Sequence, residues 1–165
     1  MDNNQNNQNL GSAENLLEKL VDATLETIES MAFMEIQKSE ASTPYDEHLV
    51  RLRVEILINK PFPGEFRLVL PVGLAVQFTQ NMYNLEEDEI NESLMKDVLG
   101  EIVNIISGRL MADLIPEDEI FELGLPLIGP DVFVQTEASS LSVEFEADGI
   151  PFWIILFGEG FQESA

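Results

Sequence analysis

The clearest periodicity runs over residues 13 to about 34. Leu17, Leu20, Val21, Leu25, Ile28, Met31 and Ala32 fall on one side of a helix, with Glu18, Asp22, Glu26 and Glu29 largely on the other. Ser12 is placed to cap it, with Asn15 in the first turn. A polar loop, "KSEASTPYDEH", leads into "LVRLRVEILI". Here the period changes to two: Val50, Leu52, Val54, Ile56 and Ile58 share one face, and Arg51, Arg53 and Glu55 the other, as in a half-buried strand. "NKPFPGE" supplies a turn and "FRLVLPV" the returning strand. "GLAVQFTQNMYN" predicts a short helix, and the acidic "LEEDEINE" suits the electropositive start of the next one. That helix is predicted over residues 90–114, ending before Pro116. Three strand-like segments follow, "EIFELGLPLI", "SLSVEFEAD" and "PFWIILFG", the last two joined through Asp148-Gly149. Residues 130–138 are read as strand or loop.

These elements predict one α+β domain over residues 13–165, with no internal repeat or domain boundary. A mostly antiparallel sheet of five or six strands should pack one face against two long helices. Residues 2–9 are Asp, Asn and Gln only and cannot bury apolar area, so residues 1–12 read as a disordered polar tail.

Composition narrows the function classes. With 31 acidic against 8 basic residues the net charge is −23, which argues against nucleic acid and anionic membrane as partners. The absence of cysteine excludes disulfides, zinc–thiolate sites and thiol nucleophiles, and fits a reducing compartment. The start of the chain has no basic region followed by an apolar one, and the longest apolar run, near "IPFWIILF", is too short to span a bilayer. A cytoplasmic location is expected.

The candidate chemistry lies in "GEIVNIISGRLMADL", residues 100–114. With Leu94 at zero and about 100° per residue, Val98, Leu99, Ile102, Val103, Ile105, Ile106 and Leu110 fall between roughly 20° and 180°, the expected core arc. Asp97, Glu101, Asn104 and Gly108 fall between about −80° and −20°. Glu101 and Asn104, three apart, emerge side by side. Gly108, one turn on, leaves a bare patch of backbone at a cost of about 1 kcal/mol against Ala. Met111 continues this side, as a partner contact or as a rim residue under a neighbouring loop. An amide can hold and aim a water without changing charge, and a carboxylate can pair with a cation or accept a proton. Together they suit hydrolysis of an already activated electrophile that lacks only an oriented water. An ordinary solvated helix face produces the same pattern.

"DVLGEIVNIISGRLMADL" resembles the active-site helix of the CheC/CheX/FliY phosphatases, which dephosphorylate the chemotaxis response regulator CheY. Glu101, Asn104 and Gly108 match the family's Glu-x-x-Asn motif and the small residue after it. The element order is closest to CheX over about residues 13–158, with strong residue-level similarity confined to 97–114. Some family members carry a second motif on the first helix. Here Glu18 is followed three later by Val21, and Glu26 by Glu29, so only one motif is present. The resemblance implies a phosphatase acting on the aspartyl phosphate of a CheY-like response regulator. Asn104 would orient the water, and Glu101 would pair with a receiver lysine. Asp97, Gly108 and Met111 would lie against the partner. It implies no cofactor or metal of the protein's own, with Mg²⁺ supplied by the receiver, and a homodimer formed through the sheets. Relatives that use this fold as non-catalytic flagellar-switch modules supply the alternative.

Other residues suggest no chemistry. His48, the only histidine, ends a polar loop and reads as structural or solvated. Trp153, with Phe152 and Phe157, reads as core or dimer interface. The acidic runs at 86–89 and 116–119 lack the spacing of a calcium loop.

Overall fold

The computed structural model describes residues 13–132, 139 and 141–162. The polar tail expected over residues 1–12, and most of the segment 130–138, lie outside the described residues.

Helix α1 (Ala13–Ala32) buries Leu16, Leu20, Ala23, Ile28 and Ala32, while Leu17, Val21, Leu25 and Met31 of the expected face are half-buried against the same core, so the buried side is turned toward Leu16 and Ala23. A three-residue strand, β1 (Ile36–Lys38), follows. Strands β2 (Arg51–Lys60) and β3 (Gly64–Pro71) form the antiparallel pair read from the alternation, with Val54 opposite Leu68 and Ile56 opposite Phe66. Helix α2 (Val72–Tyr83) starts directly from β3 and ends at Asn84, whose φ of 51° is left-handed. Helix α3 (Glu92–Leu114) opens at Asn91, whose side-chain oxygen accepts the Leu94 N–H at 2.8 Å. Strands β4 (Glu122–Leu123), β5 (Leu127–Pro130), β6 (Leu141–Ala147) and β7 (Ile150–Phe157) complete the chain. Asp148 and Gly149 take φ of 50° and 78° between β6 and β7, the left-handed pair that a two-residue hairpin turn requires.

All the strand pairs are antiparallel, in the order β1-β6-β7-β3-β2-β4, with β5 also on β2. Among the described residues the sheet therefore has seven strands rather than five or six. Two short segments account for the difference. β1 is too brief to show a period, and Gly124-Leu125-Pro126 breaks the predicted "EIFELGLPLI" strand in two. α1 and α2 both pack against α3, which also touches β2, β3 and β5.

The core lies between this helical layer and the inner sheet face. Phe145 and Phe152 stack at 5.4 Å, and Phe78 of α2 meets Phe152 edge-on at 6.3 Å. Phe152 thus ties α2 to the β6–β7 hairpin. Alternation along β7 separates it from Trp153 and Phe157, which lie on the outer face.

The outer face departs from the expected solvated surface. Arg51 is only 4% exposed, whereas Val50, expected on the inner face, precedes the strand and is 69% exposed. The Arg51 guanidinium lies 4.8 Å from the Tyr45 ring centroid and 5.1 Å from that of Trp153, and donates to the Asp46 carbonyl at 2.9 Å. Arg67 lies over Phe157 and pairs with Glu65 at 2.8 Å. Burial pushes the Glu65 carboxyl above the usual carboxylate range, with Arg67 pulling it the other way.

Because Phe152 is fully buried and joins two layers, Phe152→Ala should cost about 3–5 kcal/mol of unfolding free energy. Urea unfolding followed by circular dichroism measures it. A loss below about 1 kcal/mol would mean that the α2–sheet junction tolerates the cavity.

Candidate functional site

The candidate site is set by how much of α3 is covered. Val98, Leu99, Ile102, Val103, Ile106 and Leu110 are buried, as the helical period requires. Ile105, at the edge of that arc, is half-buried. The buried surface also continues past the expected arc through Gly100, Ser107, Met111 and Leu114. On the same wheel these four fall between about 200° and 260°. At Gly100 the neighbour is Pro126, 3.6 Å from where a Cβ would stand. The middle of α3 is thus enclosed around about two-thirds of its circumference.

What remains open is a seam. Asp97, Glu101 and Asn104 are exposed and Gly108 is partly so. Among the described residues no hydrogen bond or ion pair engages the side chain of Glu101 or Asn104. Both are free to act on something outside the chain. A Cβ at Gly108 would meet nothing within 4 Å, so internal packing does not require glycine there. The structure brings these four residues together.

Met111 is not with them. It is 0% exposed and part of the core, so the expected partner contact is corrected. The wheel explains the difference. Met111 lies only about 20° beyond Asn104, but on the side where the buried arc continues. The boundary between seam and core falls between those two residues.

The seam is flanked by ion pairs that stay clear of the motif. Lys96 pairs with Glu92 at 2.9 Å and holds its carboxyl below the ordinary value. Arg109 reaches Glu26 of α1 at 3.5 Å. Among the described residues no group of three or more His, Asp or Glu is placed to hold a metal ion. His48 is exposed beside Glu47.

Sequence reasoning missed a cleft on the outer sheet face. It measures about 260 Å³ and is lined in part by Tyr45, Arg51, Arg67 and Trp153. A signal was present: Arg51, Arg53 and Arg67, three of the four arginines in the chain, occupy alternate positions on a strand pair. Neither Glu101 nor Asn104 lines this cleft.

Solved structures share the architecture. CheX from Vibrio vulnificus superposes with a TM-score of 0.70 at 19% identity, covering 87% of this chain and 99% of that one. CheX from Desulfovibrio desulfuricans gives 0.67 at 19% identity, with the same shares covered. CheX in a CheX–CheY–BeF3–Mg²⁺ complex from Borrelia burgdorferi gives 0.66 at 16% identity, covering 86% of this chain and 96% of that one. No curated protein matches the chain in sequence. These likenesses establish the fold as the α+β architecture of the CheX proteins. In sequence, the family described as chemotaxis phosphatase CheX matches residues 56–145, and the protein belongs to that family.

If Gly108 has no packing role, Gly108→Ala should fold and gain up to about 1 kcal/mol, the helix-propensity difference. Thermal and urea unfolding check this. Destabilisation would show that the backbone at 108 is approached from within the chain.

Proposed function

We propose that the protein hydrolyses the aspartyl phosphate of a CheY-like receiver, with Asn104 and Glu101 as the working pair. The observation that carries the proposal is the seam: a carboxylate and an amide three residues apart, exposed, without internal partners, next to a glycine with open space above it. The family membership supports the reaction class.

In this reading the seam docks on the receiver so that the Asn104 amide reaches the phosphoryl group. Its oxygen accepts from a water and its N–H groups donate, holding the water in line with the phosphorus–oxygen bond to be broken. The water oxygen bonds to phosphorus, the receiver's aspartate carboxylate departs, and inorganic phosphate leaves. Glu101 pairs with a receiver lysine, which fixes the register. Asp97 and Gly108 lie against the partner, Gly108 allowing close approach. Mg²⁺ belongs to the receiver and neutralises phosphate charge there. The crystal complex from Borrelia burgdorferi, which holds CheX, CheY, BeF3 and Mg²⁺, supports such a partner for this family. Among the described residues no helix is long and apolar enough to cross a membrane. A cytoplasmic homodimer with one seam per copy completes the proposal.

The test is phosphate release from receiver domains of the source organism, phosphorylated with a small-molecule donor. Asn104→Ala should lower the accelerated rate by roughly a hundredfold or more with an unchanged far-ultraviolet spectrum. Glu101→Ala should weaken binding and turnover together, and wild-type binding should fall as salt rises. Binding without acceleration by the wild type would favour the non-catalytic module. Full activity of Asn104→Ala would remove the mechanism.

Gly108→Leu probes the docking geometry separately. It should fold at least as stably as the wild type and lose receiver binding by steric exclusion, as surface plasmon resonance would read. Retained binding would place the receiver elsewhere.

A further inference from the structure

A buried cation on the outer face of the sheet lacks a counter-charge. Arg51 is only 4% exposed, and its guanidinium stays protonated at any physiological pH. Buried charges are ordinarily paired, because their neighbours must replace the lost hydration. Among the described residues no ion pair engages Arg51. Acidic residues outnumber basic ones 31 to 8, so a shortage of carboxylates is not the reason.

The groups around the guanidinium leave one of its edges unused. The rings of Tyr45 and Trp153 lie 4.8 and 5.1 Å away and offset part of the charge. Nη1 donates to the Asp46 carbonyl. Nε, which is fully buried, and Nη2 make no hydrogen bond among the described residues. These two nitrogens form the side-on edge of a guanidinium. Its parallel N–H groups match two oxygens of a carboxylate or a phosphate.

Arg51 lines the outer-face cleft of about 260 Å³. Arg67 lines it too, but Glu65 at 2.8 Å and Glu55 at 3.8 Å answer its charge. Asp131 also lines the cleft without pairing with Arg51. Val69, Ile155 and Phe157 add apolar wall beside Trp153. A drug-sized ligand takes about 300–1,000 Å³, so this cleft admits something smaller.

We infer that the cleft binds a small organic anion, with its carboxylate or phosphate on the Nε–Nη2 edge of Arg51 and its apolar body along Trp153, Val69 and Ile155. Nε is covered in this structure, so both bonds form only with a small shift of the rings beside it. The site stands on the face opposite Glu101 and Asn104 and is independent of the role given to that pair.

Trp153 is the only tryptophan in the chain, so its fluorescence reports on the cleft. The experiment titrates the full chain with benzoate and with phenyl phosphate at constant ionic strength, and with benzamide as the uncharged counterpart. At least one anion should shift the fluorescence saturably at roughly millimolar concentration or below, and should raise the melting temperature. Benzamide should do neither. Arg51→Lys keeps the charge but loses the two-toothed edge, and should weaken binding tenfold or more. Ser142→Phe fills the cleft from an exposed strand position without altering Arg51, and should abolish binding with an unchanged far-ultraviolet spectrum. That variant decides the matter if Arg51→Lys fails to fold. No saturable response to either anion, an equal response to benzamide, or Ser142→Phe binding within twofold of wild type would overturn the site.

Discussion

Helix α3 is flanked by two helices, the sheet and the 124–126 loop, and everything else in the molecule accommodates that enclosure. A helix in this position can keep polar groups only where no neighbour arrives, because an unpaired buried polar group costs on the order of 1–3 kcal/mol. Ser107 obeys the rule by a different route: buried, it donates to the Val103 carbonyl one turn back at 2.6 Å. Glu101 and Asn104 have no such internal partner among the described residues and stand in the open strip. The rigidity of the surrounding core fixes where that strip points. A side chain on a packed helix is held far more closely than one on a loop, and aiming a water demands such precision.

The enclosure also explains which features were legible in sequence. A helix with one apolar side announces its buried arc, and Val98, Ile102, Ile106 and Leu110 were readable from period alone. So were the β2–β3 pair and the Asp148-Gly149 hairpin, whose signals are local. Met111 was not, because its burial depends on elements distant in sequence, and its place on the wheel differs from that of Asn104 by only about 20°. Arg51 failed for a related reason. Alternation put it correctly on the outer face, but Tyr45 and Trp153 arrive from other segments and cover it. Gly124-Leu125-Pro126 was visible as residues yet read as strand, since the apolar run masked its breakers. The motif residues themselves drew meaning from family resemblance, because helical spacing alone equally describes a solvated face.

Charge raises a further question. A chain of net charge −23 is an unfavourable neighbour for a phosphate. In the proposed mechanism the group nearest the phosphorus is a neutral amide, which can orient water without adding repulsion. The carboxylate stands one turn away, where a cationic partner group is required. Beyond a Debye length of about 8 Å at physiological salt the rest of the surface charge is largely screened. The amide and the carboxylate could not exchange places: a carboxylate at position 104 would put a like charge against the phosphoryl oxygens.

The seam and the arginine cluster occupy opposite sides of the sheet. The helical layer carries the seam, while Arg51, Arg53 and Arg67 lie with Trp153 and Phe157 on the outer face. A partner seated on one side therefore leaves the other free. Pairing of two copies through their sheets, as the family resemblance implies, would keep both seams accessible if it used the outer face. If it used the 124–126 loop, whose Pro126 lies against α3 at Gly100, it would crowd the helix beside Asn104. In the proposed mechanism this constrains a dimer's geometry, because a second copy that covered Glu101 and Asn104 would leave no room for a receiver.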